Sequence, residues 1–483
     1  METGGFKGLE LMFEAYLVDW EDFGPDTVEE VRQYMNRTPR SREIYEEVSE
    51  YIPLGVNSNQ RYYKPYPLYF TKAKGSKIWD VDGNEYIDFN MGYGSLLVGH
   101  AHPLLVEAWK KQAEEGILYT YPHELLEELA ELIPEIFDID MFRFSNSGSE
   151  ATMFASRLAR AYTGRDKIIK IEGSYHGTYD YMLVSSWPTR GLAGPRRMPV
   201  SVLDSLGLPE DTEELVRIVP FNDLEPLKEL LEEEGDDVAG LIMEPIMMNA
   251  GIIYPKPNYL REIRKLTKEY DIVLIFDEIK TGMRAHPGTA SQVLGVEPDL
   301  ITLAKAIGGG ATVSLVGGDE DIMSLIAPSD APRYQGVIHA GTYNANPFAL
   351  RSVYITLTQI LTEDVYPQLI KYTKELKKAY EEAFEKYGID AYIETFGVSG
   401  AIMFSKDKVW NFRQVLESNL EIWYPLFFAM LNRGLIPMAT GPEEMWTVSV
   451  QHSEEDVEKY IELIDIAVSL MAKADQYIKE EEE

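Results

Sequence analysis

Lys305 lies in Asp299-Leu-Ile-Thr-Leu-Ala-Lys305-Ala-Ile-Gly-Gly-Gly310, after an apolar stretch and before three glycines. Upstream, the β-like run Ile272-Val-Leu-Ile-Phe276 ends in Asp277-Glu278. A primary amine beside a glycine turn can form a Schiff base, and an acid at the end of a strand can pair with a protonated ring nitrogen. Together the two groups suit pyridoxal phosphate. A lysine alone means nothing of the kind, because most lysines are solvated surface charges. Its surroundings must carry the reading.

Three further features fall where strands should end. Phe142-Arg-Phe-Ser-Asn-Ser-Gly-Ser-Glu150 opens a helix, and Ser147, Gly148 and Ser149 would offer backbone N–H groups and hydroxyls to an anion there. Taken alone, the motif is equally an ordinary N-cap. Gly173-Ser-Tyr175-His176-Gly177 follows the Lys167–Ile171 strand, and an aromatic at that point can stack on a cofactor ring. Ala340-Gly-Thr342-Tyr-Asn-Ala-Asn-Pro347 joins a turn signal to a hydroxyl at the start of a helix.

Two rivals compete for these residues. An apolar strand ending in Asp-Glu also resembles the Mg²⁺ site of a nucleotide hydrolase, which requires G-x-x-x-x-G-K-[ST]. The dipeptide Gly-Lys occurs nowhere in the chain, so that reading fails. His100 and His102 in Gly-His-Ala-His-Pro invite a metal, but no nearby Cys or further His completes a ligand set. No metal site is expected.

The elements that must hold these groups alternate from about 120 to 320. Strands are expected at Met141–Ser145, Lys167–Ile171, Val238–Met243, Ile272–Phe276 and Leu300–Leu303, and helices at His123–Pro134, Ala151–Tyr162, Leu224–Glu233 and Tyr259–Glu269. That order predicts an α/β fold, a mostly parallel sheet wrapped by helices, with ligands at the carboxyl ends of its strands. Ile78 to Phe89 reads as two short strands around an Asp82-Gly83-Asn84 turn. Residues 1–50 read as a charged helical extension with no chemistry, and Thr27–Tyr34 is one candidate helix there.

Composition bounds the rest. The chain has 483 residues, 45% of them hydrophobic, enough for a large core and more than one structural unit. A net charge of −35 argues against nucleic acid or an anionic membrane as partner, and it obliges an anionic substrate to enter against a negative field. A specific arginine should therefore grip such a substrate. There is no cysteine, hence neither disulfide nor thiolate ligand. No apolar run approaches the roughly eighteen residues of a membrane span, and the N-terminus lacks the basic start of a signal peptide. A cytoplasmic location is expected.

Set in order, these motifs resemble the class III aminotransferases of fold type I, and among them glutamate-1-semialdehyde aminomutase and its transaminase relatives. The markers are Gly-Val-Asn-Ser (55–58), Trp-Asp-Val-Asp-Gly (79–83), Gly-His-Ala-His-Pro (99–103), Asn-Ser-Gly-Ser-Glu-Ala (146–151) and Tyr-His-Gly (175–177). Glu-Pro (244–245), Asp-Glu-Ile-Lys-Thr-Gly (277–282), Leu-Ala-Lys-Ala-Ile-Gly-Gly-Gly (303–310) and Ala-Gly-Thr (340–342) continue the series. The resemblance implies a large domain with a seven-stranded-type sheet at 116–346. A smaller α+β domain would come from both termini, 55–115 and 347–483, after a helical extension at 1–54.

The resemblance also implies roles. Lys305 would hold pyridoxal phosphate and shuttle a proton, and Asp277 would pair with the pyridinium. Tyr175 and Ile279 would cover the two ring faces, with His176 as a secondary neighbour. Ser147, Gly148 and Ser149 would bind phosphate, Thr342 would do so from the other subunit of a homodimer, and Asn249 would approach the phenolic oxygen. Arg61 matches a substrate-carboxylate arginine, a fork suited to that group. Ser58 and Glu444 match active-site positions.

Departures bear on the activity. Asn59-Gln60 replaces a Pro-Val, Tyr343 brings a bulky ring to the dimer-facing loop, and Ser185–Pro220, which corresponds to the aminomutase's mobile gate, is rich in Pro, Arg and Gly. An aminomutase must retain its intermediate through two half-reactions, so altered gating favours an ordinary transaminase moving an amino group from an amino acid or amine to a keto acid or aldehyde. The aminomutase is the alternative. A racemase would need a second base, and none stands out. A binding protein without turnover could dispense with Lys305.

Overall fold

A computed structural model describes residues 19–189, 191–327, 336–418, 422–437 and 446–482. The described chain forms two compact units, one built from Pro103–Tyr366 with Trp410–Gln414, the other from the remaining segments.

The first unit contains a seven-stranded sheet. Its strands are β1 (Met141–Ser145), β2 (Lys167–Ile171), β3 (Val216–Val219), β4 (Val238–Met243), β5 (Val273–Asp277), β6 (Leu300–Leu303) and β7 (Ser314–Gly318). Their spatial order is β1-β7-β6-β5-β4-β2-β3, and every pair from β6 to β3 is parallel, while β7 runs antiparallel to both β6 and β1. Every residue of β4, β5, β6 and β7 is buried, as expected for strands covered on both faces. Such strands read as continuous apolar runs rather than alternating ones, and this is why they stand out in the sequence.

Four helices relevant to the site are α1 (Leu125–Phe137), α2 (Gly148–Thr163), α3 (Glu225–Glu234) and α4 (Tyr259–Glu269). Phe154, Ala155, Leu158 and Ala159 of α2 pack on Ile168, Ile242, Val273, Ile275, Leu300 and Val316 of the sheet. The approach is close: a Cβ on Gly240 would lie 3.1 Å from that of Ala159.

Four of the five expected strands have the expected bounds, and the fifth is displaced by one residue, so that Asp277 is the last residue of β5 rather than the first beyond it. Two strands were not expected. β3 is interrupted by Arg217, and β7 follows Gly308-Gly309-Gly310 and ends in Gly317-Gly318, which mask its apolar character. Helix α2 begins three residues earlier than expected because Ser147 caps it, its Oγ accepting from the Glu150 N–H at 3.3 Å. Helix α1 runs past Pro134 to a left-handed Asp138.

The second unit holds the two short strands around the Asp82–Asn84 turn, Lys77–Asp80 and Glu85–Asp88, paired antiparallel. The Asp80 carboxylate accepts from the backbone N–H groups of Asp82 and Asn84 and pins that turn. The helix containing Thr27–Tyr34 spans Gly24–Arg37 and packs against helices Trp423–Asn432 and Glu454–Glu482, with a Glu30–Arg433 ion pair at 2.8 Å. His100 Nε2 lies 2.7 Å from Asp88 Oδ2, which gives that imidazole a protein partner. Among the described residues no helix is long and apolar enough to cross a membrane.

Candidate active site

The parallel strands deliver their carboxyl ends to one edge of the sheet, and the expected chemical groups lie along that edge. Asp277 closes β5 and is 3% exposed. Register places it opposite Thr302 of β6, whose Oγ1 donates to Asp277 Oδ1 at 3.1 Å. The Ile279 N–H donates to the same oxygen at 3.0 Å. The other oxygen, Oδ2, lies 2.7 Å from His176 Nδ1.

Burial holds the His176 imidazole below its ordinary pKa, against the pull of Asp277. The ring is therefore neutral near pH 7. Because a carboxylate only accepts, Nδ1 carries the proton and Nε2 is a bare acceptor, buried and without a hydrogen-bond partner among the described residues. His176 thus orients Asp277 more than it neutralises it.

The helix N-terminus comes next. Ser147 caps α2, and Ser149 Oγ accepts from the Thr178 N–H at 3.1 Å, which joins the α2 entry to the turn after β2. Two glycines make this contact possible. A Cβ on Gly148 would fall 2.7 Å from Ile279 Cδ1, and one on Gly177, where φ is +107°, would fall 2.6 Å from Ser149 Oγ. The Ser147–Ser149 turn, the Gly177–Thr178 turn and Ile279 therefore interlock at the start of a sixteen-residue helix, where N–H groups and the helix dipole favour an anion.

Lys305 lies one residue beyond the end of β6, after Ala304, and opens a short 3-10 turn, Lys305–Gly308. It is half-buried, with a left-handed φ of +48°. For a residue with a side chain that conformation costs on the order of 1 kcal/mol and persists only where the surroundings impose it. Tyr175 is also half-buried, and its carbonyl accepts from Asn249 Nδ2 at 3.3 Å, which ties the aromatic turn to the loop beyond β4.

Other expected residues fall elsewhere. Thr342 is exposed, in a turn joined to the α2 entry by a 2.7 Å bond from Asn146 Nδ2 to Asn344 Oδ1. Ser58 and an exposed Arg61 belong to the second compact unit, where Ser58 precedes the short turn Asn59–Arg61. Glu444 lies outside the described residues.

Three buried charged groups had no expected role. The Glu244 carboxyl, just beyond β4, is pushed up to about 7 by burial and by the charge of Asp277, while Oε2 accepts from the Met248 N–H at 2.9 Å. Lys170, inside β2, donates to the carbonyls of Met182 and Val184 and to Ser186 Oγ, and burial pushes it down to about 8. Glu172 pairs with Arg413 at 2.8 Å, and burial raises its carboxyl while the guanidinium lowers it. An acid directly after an apolar strand and a lysine inside one are the signals that could have marked the first two.

These residues fit pyridoxal phosphate. A buried carboxylate oriented by three donors stands at the carboxyl edge, an anion cradle sits at a helix N-terminus, and an amine follows the end of β6, the strand beside β5. Fold and site together define a pyridoxal-phosphate-dependent enzyme of fold type I.

Comparison with known proteins narrows the class. Residues 58–468 match the family model for class-III aminotransferases, and the chain belongs to that family. It is 40% identical to the glutamate-1-semialdehyde 2,1-aminomutase of Archaeoglobus fulgidus over 88% of its length and 98% of the relative's. The enzyme of that name from Methanosarcina acetivorans is also 40% identical, over 88% and 97%. Among solved structures, an omega-transaminase from Sphaerobacter thermophilus superposes with a TM-score of 0.85 at 31% identity, covering 90% of this chain and 99% of that one. The Pseudomonas aeruginosa glutamate-1-semialdehyde aminomutase gives 0.85 at 26% identity, covering 94% and 99%.

Proposed function

We propose that the chain is an aminotransferase that takes an amino group from a carboxylate-bearing amine and passes it to a keto acid or aldehyde, with Lys305 as proton shuttle. The observation that carries the reading is the convergence of His176, Thr302 and Ile279 on the Asp277 carboxylate, one strand away from the lysine. When bound, the cofactor supplies an electron sink for the carbon that bears the amino group. Asp277 would keep the ring nitrogen protonated, and His176 and Thr302 keep Asp277 aimed. Ser147, Gly148 and Ser149 would hold the phosphate, Tyr175 and Ile279 would cover the ring faces, and Asn249 would approach the phenolic oxygen. Lys305 Nζ would take up the proton released from the carbon that bears the amino group.

In this reading Arg61 grips the substrate carboxylate, assisted by Ser58 and Glu444. Arg61 is exposed and has no ion-pair partner among the described residues, so its guanidinium is available to a ligand. A cytoplasmic homodimer completes the proposal, with Thr342 reaching the partner's phosphate. A cavity of about 900 Å³ beside the edge strand β1 supports the dimer: Tyr121, Met141 and Thr342 line it, and Tyr343 next to Thr342 is 60% exposed. Neither Lys305 nor Asp277 lines that cavity, which suits a docking groove better than a reaction chamber.

The aminomutase is the second reading, favoured by the 40% identity to relatives of that name. Adding single amines without an acceptor, and following the visible absorption of the cofactor-loaded protein, separates the two. Loss of the yellow band with a class of α-, β- or ω-amines supports intermolecular transfer; a response to 4,5-diaminovalerate alone supports the aminomutase. Lys305→Ala should abolish turnover, and activity surviving it would refute the assignment. Arg61→Ala should raise KM for carboxylate donors at least tenfold while leaving the absorption band intact; unchanged kinetics would return Arg61 to the surface.

A further inference from the structure

A second cavity, of about 410 Å³, opens beyond the carboxyl end of β3 and is lined by Arg196, Arg197, Asn222, Asp223, Lys256 and Arg413 among others. Four cations and one acid line it, in a chain with 80 acidic and 45 basic side chains. Two of the cations are already matched. Arg413 pairs with buried Glu172 at 2.8 Å, and Arg197 lies 3.4 Å from Asp223. Arg196 and Lys256 have no acidic partner among the described residues.

The walls are held in place. Arg413 donates to the carbonyls of Ala193 and Gly194 at 2.6 and 3.0 Å, fixing the turn that leads into Arg196 and Arg197. Asn222 is 7% exposed and left-handed at φ +64°, and it bonds in three directions: to the carbonyls of Tyr254 and Trp410, and from the Lys256 N–H at 2.6 Å. Lys256 Nζ bonds the Asn222 carbonyl at 3.2 Å and lies 5.7 Å from the Trp410 ring, so its stem is aligned along the cavity wall. Unmatched charge on a fixed frame differs from scattered surface lysines, whose partner is water.

We propose that this cavity is an anion-binding site for a small doubly charged anion, a phosphate group or a dicarboxylate, held between Arg196 on one wall and Lys256 on the other. Guanidinium forks match both chemistries, and the volume lies in the range of small-ligand sites. The site opens on the same carboxyl side of the parallel strands as Asp277, but shares no lining residue with the catalytic constellation. An occupant bridging the walls would fasten the 191–200 turn to the loop beyond β3.

The test uses the full-length protein saturated with pyridoxal phosphate, so that the cofactor's own phosphate site is filled. Calorimetric titration at low ionic strength with inorganic phosphate, and separately with succinate, should show one saturable site per chain for at least one of them. Phosphate alone would assign a phosphate-bearing ligand, succinate alone a dicarboxylate. The double variant Arg196→Ala/Lys256→Ala should bind at least tenfold more weakly with its melting temperature unchanged, both side chains being exposed. The control Lys378→Ala, on an exposed helical pair, should bind as the wild type does. Hydrogen exchange of the 191–200 backbone should slow at least threefold on saturation. Absence of a saturable site for both probes, or equal affinity in the double variant, would overturn the proposal.

Discussion

Replacing Glu244 by glutamine gives a stability change that depends on pH with a defined sign. The carboxyl is buried, and its pKa rises from an ordinary 4.5 to about 7, chiefly through burial and further through the charge of Asp277. Between those two values the folded state keeps a proton that the unfolded state has released. Folding therefore binds protons, and stability falls as pH rises from 4.5 to 7, levelling off above 7. The displacement corresponds to about 3 kcal/mol at about 1.4 kcal/mol per pH unit. Glutamine has the shape of the protonated acid and keeps an oxygen for the Met248 N–H, but it cannot ionise. The gap between variant and wild type should therefore widen in the variant's favour from pH 5 to pH 8. Between pH 5 and pH 8 about 2–3 kcal/mol of this is expressed, so at roughly 2 °C per kcal/mol for a unit of this size melting temperatures should diverge by about 5 °C. Scanning calorimetry of the cofactor-loaded proteins at both pH values measures it. A gap equal at pH 5 and pH 8 would falsify the argument, since it would mean that folding leaves the Glu244 proton equilibrium untouched. Because Asp277 contributes to the shift, the widening should also shrink in an Asp277→Asn background.

Two further substitutions probe the frame around the site. Gly148→Ala places a methyl group 2.7 Å from Ile279 Cδ1, so the helix entry or the isoleucine must move; cofactor dissociation measured by dialysis should quicken about tenfold, and an unchanged rate would detach this turn from the phosphate. Arg413→Met leaves Glu172 buried without its cation and strips the donors from two carbonyls, which should cost about 3–5 kcal/mol. Denaturant unfolding of the first unit reads that loss, and a change under about 1 kcal/mol would show that the pair is replaceable by packing alone.

Much of the fold was legible because the central strands are covered on both faces. Val238–Met243 and Val273–Phe276 are unbroken apolar runs, and no amphipathic helix of similar length produces that pattern. Legibility failed where glycine diluted the run, as in Ser314–Gly318, and where a charge interrupted it, as Arg217 does in Val216–Val219. The turns at the carboxyl ends were legible for a different reason. Ser147-Gly148-Ser149 is marked by a local cap, and Gly148 and Gly177 are required where the chain closes on Ile279 and Ser149.

The charged groups behind those turns follow another logic. Glu172 and Arg413 are separated by 241 positions, and nothing near either residue announces the other. Thr302 is one hydroxyl in an apolar strand, and only the register that sets it against Asp277 gives it meaning. Short-range rules fix which atoms reach the edge of the sheet; long-range pairs fix how rigidly they are held there. Burial of an ion without its partner costs several kcal/mol, so each of these pairs constrains two distant segments at once. That is why Arg413, rather than a residue adjacent to the cofactor turns, positions Ala193 and Gly194, and with them the approach to the cationic cavity.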